Sequence, residues 1–390
     1  MPKPIHAIFF SLLCAATGLA QANGRLQLHF LDVGQGDGAV VISPLGEVVV
    51  FDAGMDLRLN NCDKVLAGFR SLGIHHIDYL FVSHYHSDHI GCIPQVLAIA
   101  PLTHAVYDRG SSYTTAAYTR YTQAVAGKRA TANLGQEWKL DAGTPGEVDL
   151  KVIALNGDGV RTTNENDLSL SVLVRSGSFA AEIGGDLSGE NADGYQDIET
   201  DAAPRAGRLD VYKAHHHCSA YSSNEAWLSA TAPSVAILPV GDGNEYGHPA
   251  QSCVDRLHEH HVAAYWMETG TGATPQAGLD VVGSSVDIEY APGATEYELT
   301  TASGVKQEYA VVSKATAATG PGRNTAVLGV TLIPPKPAET GLRYAWARHS
   351  GVYHYAQCAM VARMDPETLE YGDTPPEGRR LHRGCPEGPR

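Results

Sequence analysis

The sequence predicts an α/β protein of the α+β kind, with two β-sheets packed face to face, helices flanking them, and a small C-terminal module. Three observations predict it. From Arg25 to Ala291, short apolar runs rich in Val, Ile and Phe recur between Gly, Asp and Asn, as in a chain of many short strands. Helical stretches punctuate these strands, and hairpin-like neighbours recur, which disfavours a doubly wound parallel sheet. After residue 291 the composition changes to Ala, Thr, Gly and Pro, and then to a tail with its own Tyr, Trp, His and Cys content.

Strands are expected in order at Leu26–Val33, Ala39–Ser43, Val48–Ala53 and Ile77–Ser83. Further strands are expected at Leu150–Leu155, Leu168–Arg175, Phe179–Gly184, Leu209–Ala214, Val235–Val240 and Ala263–Glu268. Asp63–Leu72, Pro94–Ala100, Asn224–Thr231 and Ala250–His261 read as helices. Residues 108–148 read as an insertion of unassigned structure. A core domain over 23–292 is followed by a linker or extension over 293–340 and a Cys/His-containing module over 341–390. The Ala315–Asn324 and Pro334–Pro337 stretches have linker composition.

The chain has 390 residues, 28 Lys+Arg against 43 Asp+Glu, and a net charge of −15, which argues against bulk electrostatic binding of nucleic acid. Its first 22 residues read as a cleaved export signal. Lys3 is followed by an apolar run from Ala7 to Leu19 and by Ala20-Gln21-Ala22, a small-x-small cleavage site. A retained anchor, or a lipid on Cys14, is the other reading. Export implies a periplasmic or extracellular protein with no membrane span after signal removal, though cell-surface association stays open. The mature chain keeps Cys62, Cys92, Cys218, Cys253, Cys358 and Cys385, an even set that permits disulfides in an oxidising compartment. Isolated buried thiols for two or more of them is the competing reading.

The 18 histidines are clustered rather than scattered. Ser83-His84-Tyr85-His86-Ser87-Asp88-His89 follows the strand at Ile77. In extended chain, residues i and i+2 point the same way, so His84 and His86 grip one ion while Asp88 and His89 swing toward a second as a helix begins.

This motif resembles that of the metallo-β-lactamase superfamily, and the rest of the chain resembles its ComEC/Rec2-type branch, found in competence DNA-uptake proteins. The likeness rests on Leu31-Asp32-Val33-Gly34-Gln35-Gly36-Asp37-Gly38, Phe51-Asp52-Ala53-Gly54, Glu165-Asn166-Asp167-Leu168-Ser169, Gly185-Asp186, Lys213-Ala214-His215-His216-His217-Cys218-Ser219 and Asn244-Glu245-Tyr246-Gly247-His248-Pro249. The resemblance implies a four-layer αββα fold with a metal site at one edge. It implies His84, His86, Asp88, His89, Asp186 and His216 as ligands, with Asp186 bridging two ions and His217 the alternative to His216. Asp52 is expected to orient a ligand. Asp88 and His248 are the expected catalytic groups, and Gln35 and Asp37 read first as turn-formers. The chain departs from the superfamily where Asn166 stands in place of a further histidine motif. It departs from the branch where Cys218 stands in place of glycine, and a disulfide is the favoured reading of that cysteine.

Two such ions would share a water, lower its pKa and clamp a phosphoester. The cofactor implied is one or two divalent transition-metal ions, zinc first, manganese or iron otherwise. The function implied is an exported metal-dependent hydrolase, a phosphodiesterase or nuclease working through a metal-bridged hydroxide on a small or single-stranded phosphodiester. The alternatives are a cell-surface phosphorylcholine-type esterase and a non-catalytic metal-bearing surface-binding protein. The tail, with Tyr353-His354-Tyr355-Ala356-Gln357-Cys358 and Gly384-Cys385-Pro386, resembles a Tyr-His-x-x-x-Cys module of secreted nucleases. There a Cys358–Cys385 disulfide is favoured over a metal site using His354 or His382, because Gly388 stands where fuller examples have cysteine.

Overall fold

A computed structural model describes residues 22–56, 61–275 and 281–312, and short pieces within 344–381. The export signal (but for Ala22), the 313–343 stretch, Cys358, His382 and Cys385 lie outside the described residues. The chain divides into two units, Met1–Gly322 and Arg323–Arg390.

In the first unit the elements run β1 Leu26–Phe30, β2 Ala39–Ile42, β3 Val48–Phe51, α1 Asn61–Ser71, β4 Ile77–Phe81, α2 Ser87–Ile90, α3 Ile93–Ile99 and β5 Leu102–Asp108. The expected insertion then supplies α4 Ala116–Ala124, β6 Arg129–Thr131 and β7 Glu137–Leu140. There follow β8 Val148–Ala154, β9 Ser171–Ser176, β10 Phe179–Ile183, α5 Glu199–Ala206, β11 Val211–Lys213, α6 Glu225–Thr231 and β12 Val235–Leu238. The unit closes with α7 Gln251–Glu259, β13 Ala263–Trp266, β14 Val286–Tyr290, β15 Glu296–Thr301 and β16 Lys306–Ala310. The last two continue one sheet beyond residue 292, because β15 pairs antiparallel with β14 and β16 with β15.

Nine strands form one sheet in the order β16-β15-β14-β1-β2-β3-β4-β5-β6, and seven form the other in the order β13-β12-β11-β10-β9-β8-β7. Both are mixed: β3–β6 and β10–β13 run parallel, and the rest are antiparallel. Strand periodicity explains how the sheets face each other. Val49 and Phe51 of β3, Val172 and Val174 of β9, and Val235 and Ile237 of β12 meet in the core between the sheets. Their neighbours point outward: Val48 and Val50 pack with Val65, Phe69 and Val96 of α1 and α3. On the other side Leu173, Ala236 and Leu238 pack with Ala202, Trp227 and Leu257 of α5, α6 and α7. Both strand faces are therefore apolar, which is why these strands read as continuous Val/Ile/Leu runs rather than as alternating ones. The result is the four-layer αββα arrangement.

Cys62–Cys92 and Cys218–Cys253 are disulfides, so these four are not isolated thiols. This fits an oxidising environment. Among the described residues no helix is long and apolar enough to cross a membrane. The second unit contains a small sheet of β17 Tyr344–Ala347, β18 Val352–Tyr355, β19 Leu369–Gly372 and β20 Arg380–Leu381, in the order β19-β17-β18-β20. His354 on β18 is buried.

Candidate metal centre

The carboxyl ends of parallel strands from both sheets open at one edge, and the loops leaving them carry the polar residues. Beyond β4 the chain stays extended, so His84 and His86 share a side and His84 Nε2 lies 3.0 Å from His86 Nδ1. Tyr85 points the opposite way and is fully buried, with the Arg109 guanidinium 4.3 Å from its ring centroid and its hydroxyl accepting from Arg129 Nη2 at 2.7 Å. Glu165 Oε1 takes the Tyr85 N–H at 2.9 Å and the Arg109 Nε–H at 3.0 Å, which fixes the strand extension from behind. Asp88 and His89 then fall in the short helix α2.

The Lys213–Ser219 segment is bent by three consecutive left-handed residues, His216, His217 and Cys218, with φ of 49°, 52° and 58°. Such φ values cost an L-residue about 1–2 kcal/mol each, so the neighbours must hold them. Cys218 is tied to Cys253 in α7, His217 Nδ1 donates to Pro239 O at 2.9 Å, and Ser222 Oγ donates to His215 O at 2.7 Å. The bend sends the three imidazoles to different places. His215 turns into the protein, 2.8 Å from Glu199 and 3.2 Å from Glu182. Burial works against charge on that ring, but the two glutamates outweigh it and push its pKa up to about 9. His216 and His217 face the site.

Asp186, in the loop after β10, is the point where everything meets. Its Oδ2 lies 3.3 Å from His89 Nε2, 3.6 Å from His217 Nε2, 3.8 Å from His84 Nε2 and 3.9 Å from His216 Nε2. Asp88 Oδ2 is 3.4 Å from His217 Nε2 and 3.8 Å from His89 Nε2. Asp88, His89, Asp186 and His217 thus bring one ligand atom each into a single compact group. At metal–ligand distances of about 2.0–2.2 Å, neighbouring donors around one ion sit roughly 3.0–3.5 Å apart, close to what these atoms show. His89 Nε2 and His217 Nε2 are buried without a hydrogen-bond partner among the described residues, as atoms awaiting a cation would be. Nitrogen and carboxylate donors together fit a divalent transition metal. Burial lowers the His89 pKa, yet Asp186, Asp37, Asp88 and Asp52 together raise it well above its ordinary value; these acids press for positive charge here.

Residues 31–160 match the model of the metallo-beta-lactamase superfamily. The chain carries a metallo-beta-lactamase superfamily domain. It is also distantly homologous to competence proteins. It is 26% identical over 240 residues to Recombination protein 2 of Haemophilus influenzae, covering 60% of this chain and 26% of that protein. It is 26% identical over 255 residues to ComE operon protein 3 of Bacillus subtilis, covering 60% and 31%. The chain therefore matches only about a quarter to a third of the length of these relatives. Among solved structures it is similar to metallo-beta-lactamase SMB-1 in complex with mercaptoacetic acid, with TM-score 0.35 and 15% identity over 60% of this chain and 93% of that one.

Within the metallo-beta-lactamase domain, the structure gathers His84, His86, Asp88, His89, Asp186 and His216 into one cluster, of which His86, Asp88, Asp186 and His216 line a cleft. It also brings in His217, ranked second by the sequence, as the member of the compact group. His216 lies beside Asn166, whose Nδ2 donates to His216 Nε2 at 3.1 Å. Asp52 is not in the group with Asp186. It accepts from His89 Nδ1 at 2.8 Å and from the Ser83 N–H at 2.9 Å. Asp37 does more than form a turn: buried, it pairs with the Lys213 ammonium and lies 3.3 Å from His217 Nδ1. Gln35 likewise bridges two loops. Its Oε1 accepts from Gly241 N–H at 3.1 Å, which turns its Nε2 toward His248 Nδ1 at 3.4 Å. Lys213, a lone cation ending an apolar strand, was the clue in the sequence to this buried layer of charge.

Proposed function

We propose that the domain is an exported metal-dependent hydrolase, a phosphodiesterase or nuclease holding one or two divalent ions, zinc before manganese or iron. The observation carrying this reading is the convergence of four imidazoles, His84, His89, His216 and His217, on Asp186, with Asp88 completing the compact group of His89 and His217 and with His86 beside His84. Divalent ions held there would polarise phosphoryl oxygens and lower the pKa of a water. Asp88 and Asp186 supply the negative charge that balances such cations; flanking imidazoles, His89 first, offset the cost of burial and hold Asp186 well below the usual carboxylate range. His248 lines the cleft, and burial, then His217 and His216, lower its pKa to about 3, so the ring is neutral. The bond from Gln35 leaves its proton on Nε2, and the ring is suited to donate a hydrogen bond to a leaving oxygen rather than to abstract a proton. The names of two relatives, Recombination protein 2 and Competence protein ComA, support a nucleic-acid phosphodiester over a β-lactam.

The test is turnover by the purified, metal-loaded protein of single-stranded DNA, a choline phosphodiester and a β-lactam in parallel. Cleavage of DNA that stops on chelation and returns with metal is expected. Full activity in a metal-free sample would overturn the mechanism, and preference for the choline ester or the β-lactam would overturn the substrate class.

A further inference from the structure

The cleft above the cluster, roughly 590 Å³, is walled by three tyrosines, and each is packed against a different histidine of the site. Ring centroids are 6.0 Å apart for Tyr113 and His86, 5.6 Å for Tyr195 and His216, and 5.7 Å for Tyr246 and His248. Tyr246 and His248 are near parallel, at 26°, so one face of the tyrosine is backed and the other is left to solvent. Tyr246 is 66% exposed, the most exposed large apolar side chain among the described residues. It is nonetheless firmly mounted. Its N–H donates to Asn244 Oδ1 at 3.2 Å, and Asn244 Nδ2 donates to Gly241 O and His248 O at 2.8 Å each.

Among the described residues cationic side chains are scarce by comparison. Arg120 is the one described Lys or Arg lining the cleft, and it lies 3.6 Å from Asp56. A site that grips a polynucleotide through its phosphates needs a series of Lys and Arg. A site that offers ring faces instead binds unpaired bases, whose faces a duplex hides.

We propose that Tyr246, backed by His248, is a stacking platform for an unpaired nucleobase next to the phosphodiester being cleaved, so that substrates are single-stranded ends or short nucleotide diesters. This rests on the phosphodiesterase reading above. It makes Tyr246 a residue of substrate selection, while bond cleavage stays with the cluster beneath it.

The experiment compares the full chain, metal-loaded, with Tyr246→Ala and Tyr246→Phe on a dithymidine diester and on its analogue lacking one base. Removing one base–aromatic stack, about 1–3 kcal/mol, corresponds to an increase of roughly 5- to 150-fold in KM. Tyr246→Ala should show that increase on the dinucleotide with kcat kept, Tyr246→Phe should stay near wild type, and neither should alter KM for the base-free analogue. A 2-aminopurine dinucleotide should lose fluorescence on binding wild type and keep it with Tyr246→Ala. Unchanged KM for the dinucleotide, or an equal rise for both substrates, would overturn the platform while leaving the phosphodiesterase reading intact. Failure of the wild type to cleave either substrate would instead remove that reading, and the platform with it.

Discussion

Asp52→Asn removes a charge while keeping the shape of the side chain. Asp52 follows β3 with a left-handed φ of 53° and is buried, and its two oxygens receive three donors: the Ser83 N–H at 2.9 Å, the Ser83 hydroxyl at 2.5 Å and His89 Nδ1 at 2.8 Å. An amide offers one oxygen and an NH2 group. If the NH2 faces His89, the imidazole must move its proton to Nε2 and withdraw the lone pair aimed at Asp88 and Asp186. If it faces Ser83, two donors oppose each other. Either way one charge-assisted hydrogen bond is lost, about 1.5–3 kcal/mol, or roughly 10- to 150-fold in an equilibrium constant. Loss of a carboxylate behind a metal-bound histidine typically costs about 10- to 100-fold in metal affinity, which agrees. The assay is competition for metal against a chromophoric chelator at neutral pH, with circular dichroism to follow the fold. Asp149→Asn, at an exposed carboxylate, serves as control. An Asp52→Asn affinity within about threefold of wild type would refute the idea that Asp52 sets the ligand state of His89.

Other predictions follow from neighbouring residues. His217→Ala should lose more bound metal than His216→Ala by elemental analysis, because His217 belongs to the compact group with Asp88, His89 and Asp186; the reverse order would contradict that grouping. In chelator, stability should fall as pH rises from about 6.5 through about 9. Glu182 and Glu199 raise the folded-state pKa of buried His215, so its contribution is complete below the unfolded value and lost above the folded one. Carboxylates raise His89 and His217 in the same sense, and a flat or rising profile of urea midpoints would be inconsistent with all three being charged in the fold. Removing the Cys218–Cys253 bridge should cost about 3–4 kcal/mol from loop entropy. Cys218→Gly with Cys253→Ala should be more stable than Cys218→Ala with Cys253→Ala by about 1 kcal/mol, since only glycine accepts φ 58° freely. Equal urea midpoints for the two pairs would show that the backbone there relaxes.

Much of the fold was legible because strands covered on both faces advertise themselves as Val/Ile/Leu runs, and the His-x-His-x-Asp-His segment is local enough for strand and helix periodicity to place it. Apolar runs overstate the length of the strands. Leu26–Val33 stops at Phe30 and Ile77–Ser83 at Phe81, because the loops that build the site begin there. The direction of the three histidines was not legible, since neither period 2 nor period 3.6 describes a left-handed run. The sequence hides α5 because Pro204 interrupts its helical pattern, and β15 and β16 because the pairing of β15 with β14 and of β16 with β15 appears only when the sheet is assembled. Disulfide pairing was hidden for a similar reason: both bridges join residues that only tertiary packing brings together.

The ligands of the cluster are split between the two sheets, His84 to His89 from one and Asp186 and His217 from the other, about a hundred residues further along the chain. An unfolded chain can offer an ion only the local histidine fragment, so the ion cannot guide early folding and binds in full only once the sheets have docked. Bound there, it would act as a rivet at the open edge of the sandwich. Because the unfolded chain offers it only that fragment, free metal at a hundred times its native-state dissociation constant would add up to about 2.7 kcal/mol to the free energy of pulling the two halves apart.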